Sequence, residues 1–268
     1  GFDVSVCRAV AAAVLGDPQA VKFTPTTGKT RFTALASGEI DMLARNTTWT
    51  FSRDVDLKFE FVGVNYYDGQ GFMVPKELGV ASAKDLDGAT VCIQTGTTTE
   101  LNLADFFRSN NMNYEPVPIE TNAEAQQQYL AGACDVYTTD ASGLAATRAT
   151  FENPDAHTLL PEIISKEPLG PLVRHGDNQW GDIVRWTLNA LISAEELGIT
   201  SANLAEMAKG TNNPEINRMM GTEGDLGGML GLDKDWAQRA LAGGNYGEIF
   251  ERNIGESTAI GLARGLNA

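Results

Sequence analysis

Two stretches of the chain leave a helix and enter a strand in the same way, and that recurrence constrains the fold more than any other feature. "ALASGEIDML" (34–43) and "YLAGACDVY" (129–137) each close an Ala/Leu-rich helix on a small residue and Gly, then open a strand that carries Asp. In the first unit a short strand "AVKFTP" (20–25) precedes the helix "KTRFTALASGEIDML", with Phe32 and Leu35 inward, which runs into a strand at Ile40–Ala44. Strand, helix and strand in that order predict a parallel sheet with a right-handed crossover. The second unit repeats the plan: helix-like "ASAKDLDG", strand "TVCIQT", a helix from Thr98, strand "YEPVPIE", helix "NAEAQQQYLAGA" and strand "CDVYTTD".

Two α/β lobes joined by hinge strands near "YYDGQGF" (66–72) and "SKEPLGP" (165–171) account for this duplication. Lobe 1 is expected to hold residues 1–70 and 169–268, and lobe 2 residues 71–168. The chain opens with a helix at "DVSVCRAVAAAVLG" and is mostly helical beyond Pro171. There "NPEINRMMG" places Asn213 as N-cap, Pro214 at the first helical position and Gly221 past the end. Its 268 residues suffice for two ordinary domains. With 20 basic against 35 acidic residues and no Lys/Arg cluster, the charge opposes nucleic acid as a partner.

The three cysteines, Cys7, Cys92 and Cys134, form no CxxC and have no neighbouring His, so no metal site is expected. Cys92 and Cys134 lie in short β-like runs. Neighbouring parallel strands would let them bridge, which implies an oxidising compartment; two buried thiols fit the sequence equally well. Cys7 is left over.

Three stretches carry polar groups with chemical meaning. In "ARNTTWTFSRD" (44–54), Arg53 can clamp a carboxylate bidentately, and Asn46 and Thr48 share a parity that Arg45 and Thr47 oppose. In "CIQTGTTTELNL" (92–103) a strand ends and Thr97 with Glu100 predicts a capping box, at a helix start able to attract an anion. In "DVYTTDASG" (135–143), Asp140 ends a strand where α/β proteins dock ligands, or caps the following helix. No GxSxG, HExxH or GxGxxG appears. His157 and His175 read as solvated loop residues, and Trp180, Trp186 and Trp236 as core; Trp49 fits core or site wall.

Together "FTALASGEIDMLARNTTWTFSRD", "YYDGQGFMV", "DLDGATVCIQTGTTTELNLADFFRSNNM", "CDVYTTDASGL", "LPEIISKEPLGPLVR" and "GNYGEIFERNIG" resemble the solute-binding proteins of amino-acid ABC importers, in their general L-amino-acid-binding branch. The resemblance covers nearly the whole chain. It implies a type II periplasmic binding fold, two Rossmann-like lobes with mixed, mostly parallel sheets. It further implies a free L-amino acid ligand, delivery to a membrane permease, a periplasmic monomer, and no cofactor. Position by position, it puts the ligand-carboxylate arginine on Arg53, with Asn46 and Thr48 as polar partners and Arg45 as the branch's own feature. The second lobe's helix start falls on Thr98, preceded by Thr97, the acceptor of the α-ammonium on Asp140, and a side-chain-facing position on Gln94. Acidic and amide side chains are then expected among the ligands. Relatives carry a strand and loop upstream of "GFDV", and that segment is expected to have been removed together with any leader. Their additional cysteine lies there, which would leave Cys7 unpaired. Relatives also place an aromatic where Gly28 stands, a role open to Tyr66, Tyr67 or Trp49. Dehydratases on the same fold and ligand-sensing ectodomains are the rival classes.

Overall fold

The computed structural model describes residues 1–268. In chain order the strands are β1 (Phe59–Phe61), β2 (Tyr66–Asp68), β3 (Gln70–Pro75), β4 (Ala89–Gln94), β5 (Tyr114–Ile119), β6 (Val136–Asp140), β7 (His157–Leu159), β8 (Glu167–Leu169) and β9 (Leu172–Arg174). The helices that matter most are α1 (Phe2–Leu15), α2 (Arg31–Ala36), α3 (Thr98–Ser109), α4 (Asn122–Leu130), α5 (Ala141–Arg148) and α6 (Asn178–Glu196). Shorter helices follow between Leu204 and Ile254.

A five-stranded sheet of order β5-β4-β6-β3-β7 organises the middle of the chain. β4 runs parallel to β5 and β6, and β3 runs antiparallel to β6 and β7, so the sheet is mixed. Because successive strand residues face opposite sides, Phe72, Val74, Val91 and Ile93 pack with Leu103 and Phe107 of α3 on one side. Met73, Cys92 and Tyr137 pack with Tyr129 and Leu144 of α4 and α5 on the other. Cys92 and Cys134 form a disulfide in this second layer, with Cα atoms 5.6 Å apart, while Cys7 is a thiol whose pKa burial pushes up to about 12.

The second body is helical. Small residues of α1, Ala9 and Ala13, let it approach α6 and the C-terminal helices, where Leu191, Trp236 and Phe250 are buried. Of two short antiparallel ribbons, β1–β9 packs within this body against α1, α2 and α6, and β2–β8 runs beside the crossing to the sheet. At Gly170 a Cβ would collide with the Gly63 carbonyl, so the crossing segments touch backbone to backbone. No helix is long and apolar enough to cross a membrane.

The first repeat departs from its sequence reading. "AVKFTP" has no strand beside it and runs as irregular backbone along an apolar groove of about 640 Å³ shared with α1 and residues 39–45. Residues 40–44 make one antiparallel bridge, Leu43 to Leu172, rather than a parallel strand, and the helix before them is confined to α2. "ASAKDLDG" forms only a 3₁₀ turn over Ala83–Asp85, its Ser82 and Ala83 held by the Glu162 carboxylate. Trp186 is half exposed, on the outer side of the α6 stripe that buries Val184, Leu188 and Leu191. His157 is no loop residue: it opens β7, packs against Phe151 and hydrogen-bonds the Tyr129 hydroxyl at 2.8 Å. His175 is exposed.

The disulfide closes a loop of 42 residues within the sheet body. The Cys92→Ala/Cys134→Ala double variant is therefore expected to lose about 4 kcal/mol of stability, the loop-entropy value for that length. Urea unfolding of both proteins checks this; equal midpoints would contradict it.

Candidate functional site

The carboxyl ends of the parallel strands lie on one edge of the five-stranded sheet, and Gln94 of β4 and Asp140 of β6 stand there beside the start of α3 at Thr98. Open α/β sheets bind ligands at this edge. Facing it from the helical body is the turn 45–48, and closing one side is β8. Two side-chain links span the gap, one direct and one through a shared carboxylate: Asn46 Nδ2 donates to Asp140 at 3.0 Å, and the Glu167 carboxylate accepts from the Thr48 hydroxyl on one side and the Thr98 hydroxyl (3.1 Å) on the other.

Asp140 sits at the N-cap position of α5 but does not cap it; Asp68 takes the Ser142 hydroxyl and backbone N–H instead. The Asp140 carboxylate is thereby directed into the gap, where it is 6 % exposed. Burial, first, and then the charge of Asp68 raise its pKa to about 7, against the hydrogen bond from Asn46. Asp68 is raised by burial as well.

Opposite these acids stand three arginines. Arg53 is buried, gives one N–H to the Thr48 carbonyl at 2.8 Å, and lies over the Phe32 ring with 5.1 Å to the centroid. Arg45 donates to the Thr26 carbonyl at 3.0 Å and reaches Asn46 Oδ1 at 3.4 Å. Arg31, only 3 % exposed, holds the turn from beneath, donating to the Arg45 and Asn46 carbonyls and the Thr47 hydroxyl, with its Nε unpartnered. Burial and then its neighbours Arg53 and Arg45 push the Arg31 pKa down to about 9; burial also lowers Arg45 and Arg53. Every salt bridge of the molecule lies elsewhere, so none of the three is paired with an acid.

Other expectations change on contact with the geometry. The capping box does not form: the Thr97 hydroxyl accepts from no N–H of the first turn and donates to the Gln94 carbonyl at 2.7 Å, and the Glu100 carboxylate accepts from Gly96 N rather than from Thr97 N. The first turn of α3 is left without a side-chain cap. The parity of residues 45–48 is broken because Asn46 adopts a left-handed φ of 22°, which brings Arg45 to the same side as the Asn46 amide. Gly28 lies against the α3 entry, where a Cβ would meet Thr97 Cγ2 at 3.0 Å and the Thr95 carbonyl at 3.3 Å, so a side chain there would press on the start of α3. The three aromatics open to that role sit in different surroundings. Trp49 stacks on Phe61 and is 40 % exposed, Tyr67 is exposed, and the Tyr66 ring packs against Phe2 and Phe250. Gln94 donates weakly to the Glu120 carbonyl at 3.5 Å. No group of three or more His, Cys, Asp or Glu could hold a metal ion.

Arg31, Glu167, Asp68 and Asn102 were not among the expected site residues. Arg31 carried a signal: it shares the i, i+3, i+4 buried face of α2 with Ala34 and Leu35, an unlikely seat for a solvated charge. Glu167 carried a fainter one, a lone acid within the apolar crossing "EPLGPLV".

The sequence profile of the bacterial extracellular solute-binding proteins, family 3, matches residues 1–202. The glutamate/glutamine/aspartate/asparagine-binding protein BztA of Rhodobacter capsulatus is 71% identical over 269 residues, covering 100% of this chain and 80% of its own length. The general L-amino acid-binding periplasmic protein AapJ of Rhizobium johnstonii is 62% identical over 271 residues, covering 100% and 79%. Among solved structures, an ABC transporter periplasmic binding protein from Brucella ovis with glutathione bound superposes with a TM-score of 0.97 at 59% identity, covering 100% of this chain and 85% of that one.

The raised pKa of Asp140 has a measurable sign. The folded, ligand-free protein keeps a proton on Asp140 up to about pH 7 that the unfolded chain releases near 3.8, so stability falls as pH rises through that window. Asp140→Asn is expected to flatten this slope in thermal unfolding between pH 4.5 and 8; an unchanged slope would contradict the assignment.

Proposed function

Because the chain belongs to the bacterial extracellular solute-binding proteins, family 3, we propose that it captures L-amino acids between two closing lobes and delivers them to the permease of an ABC importer. In this reading lobe 1 comprises residues 1–70 and 169–268, and lobe 2 residues 71–168. The protein works as a periplasmic monomer, and as a carrier rather than an enzyme. The supporting observation is the charge division of the gap. Unpaired Arg31, Arg45 and Arg53 line one side, and Asp140, Asp68 and Glu167 the other, without a salt bridge between them. Such a division complements a zwitterion.

Arg53 has N–H groups beyond the one given to Thr48 and serves as the carboxylate clamp, helped by the uncapped start of α3 at Thr97 and Thr98. Asp140 takes the α-ammonium, exchanging its bond with Asn46 for a charge-assisted one. Arg45 and Gln94, at the rim, face the ligand's side chain and favour acidic and amide groups, in keeping with the ligands for which BztA is named. Glutathione, bound by the Brucella protein, offers the same free α-amino-acid head through its γ-glutamyl group and belongs among the compounds to test.

Each charge-assisted bond is worth about 1.5–3 kcal/mol, so losing Arg53 or Asp140 costs roughly 100-fold in affinity. Calorimetric titration of wild type, Arg53→Ala and Asp140→Ala with L-glutamate, L-glutamine, L-alanine and glutathione is the test. Unchanged affinity in both variants sinks the assignment. An ammonium beside Asp140 also demands its ionised form, so L-glutamate affinity is expected to fall as pH drops below about 7, with proton release on binding. Release is read from titrations in buffers of different ionisation enthalpy, and its absence at pH 6 would count against Asp140 as the acceptor.

A further inference from the structure

Glu167 is a buried acid, 2 % exposed, that recognition of a zwitterion by Arg53 and Asp140 does not itself require. Its surroundings are saturated with donors. Oε1 accepts from Asn102 Nδ2 and from the Ser165 hydroxyl, both at 2.7 Å. Oε2 accepts from the Thr98 hydroxyl at 3.1 Å and from the Thr48 hydroxyl. Four donors from three separate segments thus converge on one carboxylate, filling the lone-pair sites it has.

We propose that Glu167 is a positioning residue that fixes the hydrogen-bond polarity of the cleft by taking the only protons of Thr48 and Thr98. A threonine hydroxyl has one proton and two lone pairs. Once the proton is committed to Glu167, the oxygen can only accept. Thr48 and Thr98 then cannot donate to a ligand carboxylate, which is left to Arg53 and the backbone N–H groups at the start of α3. Toward the cleft both hydroxyls can only accept, and the ligand group that complements an acceptor is an ammonium. Glu167 therefore biases the site toward α-amino acids over simple dicarboxylates without touching the ligand. Since Thr48 and Thr98 belong to opposite sides of the gap, the same carboxylate also sets their separation. The inference rests on the amino-acid reading above.

Glu167→Gln tests it at nearly constant shape. An amide brings an N–H₂ group among four donors, so at least one hydroxyl must reverse. Calorimetry with L-glutamate is expected to give an at least tenfold loss for Glu167→Gln and for Thr48→Val. The double variant should lie within threefold of the weaker single one, because both changes remove the same oriented hydroxyl. A loss under threefold in Glu167→Gln, or two losses that multiply in the double variant, overturns the proposal, whereas wild type that binds no amino acid overturns the reading beneath it. Should Glu167→Gln not fold, Thr48→Val is compared on L-glutamate and on glutarate, which lacks the ammonium, by competition. Loss confined to L-glutamate supports the accepting hydroxyl; equal loss on both ligands, or loss on neither, overturns it.

Discussion

Everything in the gap depends on burying three guanidinium groups together. Arg31, Arg45 and Arg53 repel one another and lose solvation, and burial lowers the pKa of each. What holds them is a set of carbonyl acceptors on the turn 45–48 and the Phe32 ring, which faces Arg31 at 5.0 Å and Arg53 at 5.1 Å. That arrangement leaves positive charge without a carboxylate partner in the chain. The acids across the gap are in the mirror condition, with Asp140 raised by burial and then by the charge of Asp68, and Asp68 raised by burial and to a lesser extent by the charge of Glu167. A buried charge left unpaired is costly, and two opposed unpaired sets are worth keeping only where something carrying both signs comes between them.

The fold delivers these groups through simple means. The parallel run β5-β4-β6 puts the ends of β4 and β6 at one edge, and the reversal at β3 brings Gln70 level with Asp140 in the register. The β2–β8 ribbon carries Asp68 and Glu167 as directly opposed residues, so the crossing segments are part of the site wall and not only a tether. Bonds from Asn46 to Asp140 and from Thr48 to Glu167 tie the helical body to that wall.

Much of this was legible in the sequence. The α/β alternation of residues 89–148 and the helical C-terminal part followed from periodicity and turn residues, whereas the grouping of Arg53, Asn46, Thr48, Thr98 and Asp140 came from family resemblance alone. Pairing of Cys92 with Cys134 was one of two open readings, decided by the adjacency of β4 and β6. The misses share a physical reason, which is that partners distant in sequence decide them. "AVKFTP" has strand-like composition but no neighbour to bond. Thr97 and Glu100 have the spacing of a capping box, yet the Glu100 carboxylate accepts from Gly96 N and the Thr97 hydroxyl turns to the Gln94 carbonyl. Glu167 looks like a lone acid in isolation and becomes a site residue only when Thr48 and Thr98 meet on it, whereas Arg31 is marked by its place on the buried face of α2. Trp49, which fits core or wall by sequence, stacks on the buried Phe61 with its other side exposed.

The central claim is that opposed charged walls read a zwitterion in one orientation. A crystal structure with L-glutamate bound is the most direct measurement. The account predicts the α-carboxylate within hydrogen-bond distance of Arg53 and the α-ammonium within hydrogen-bond distance of Asp140. An amino acid bound in the reverse orientation, or seated away from both residues, would contradict it.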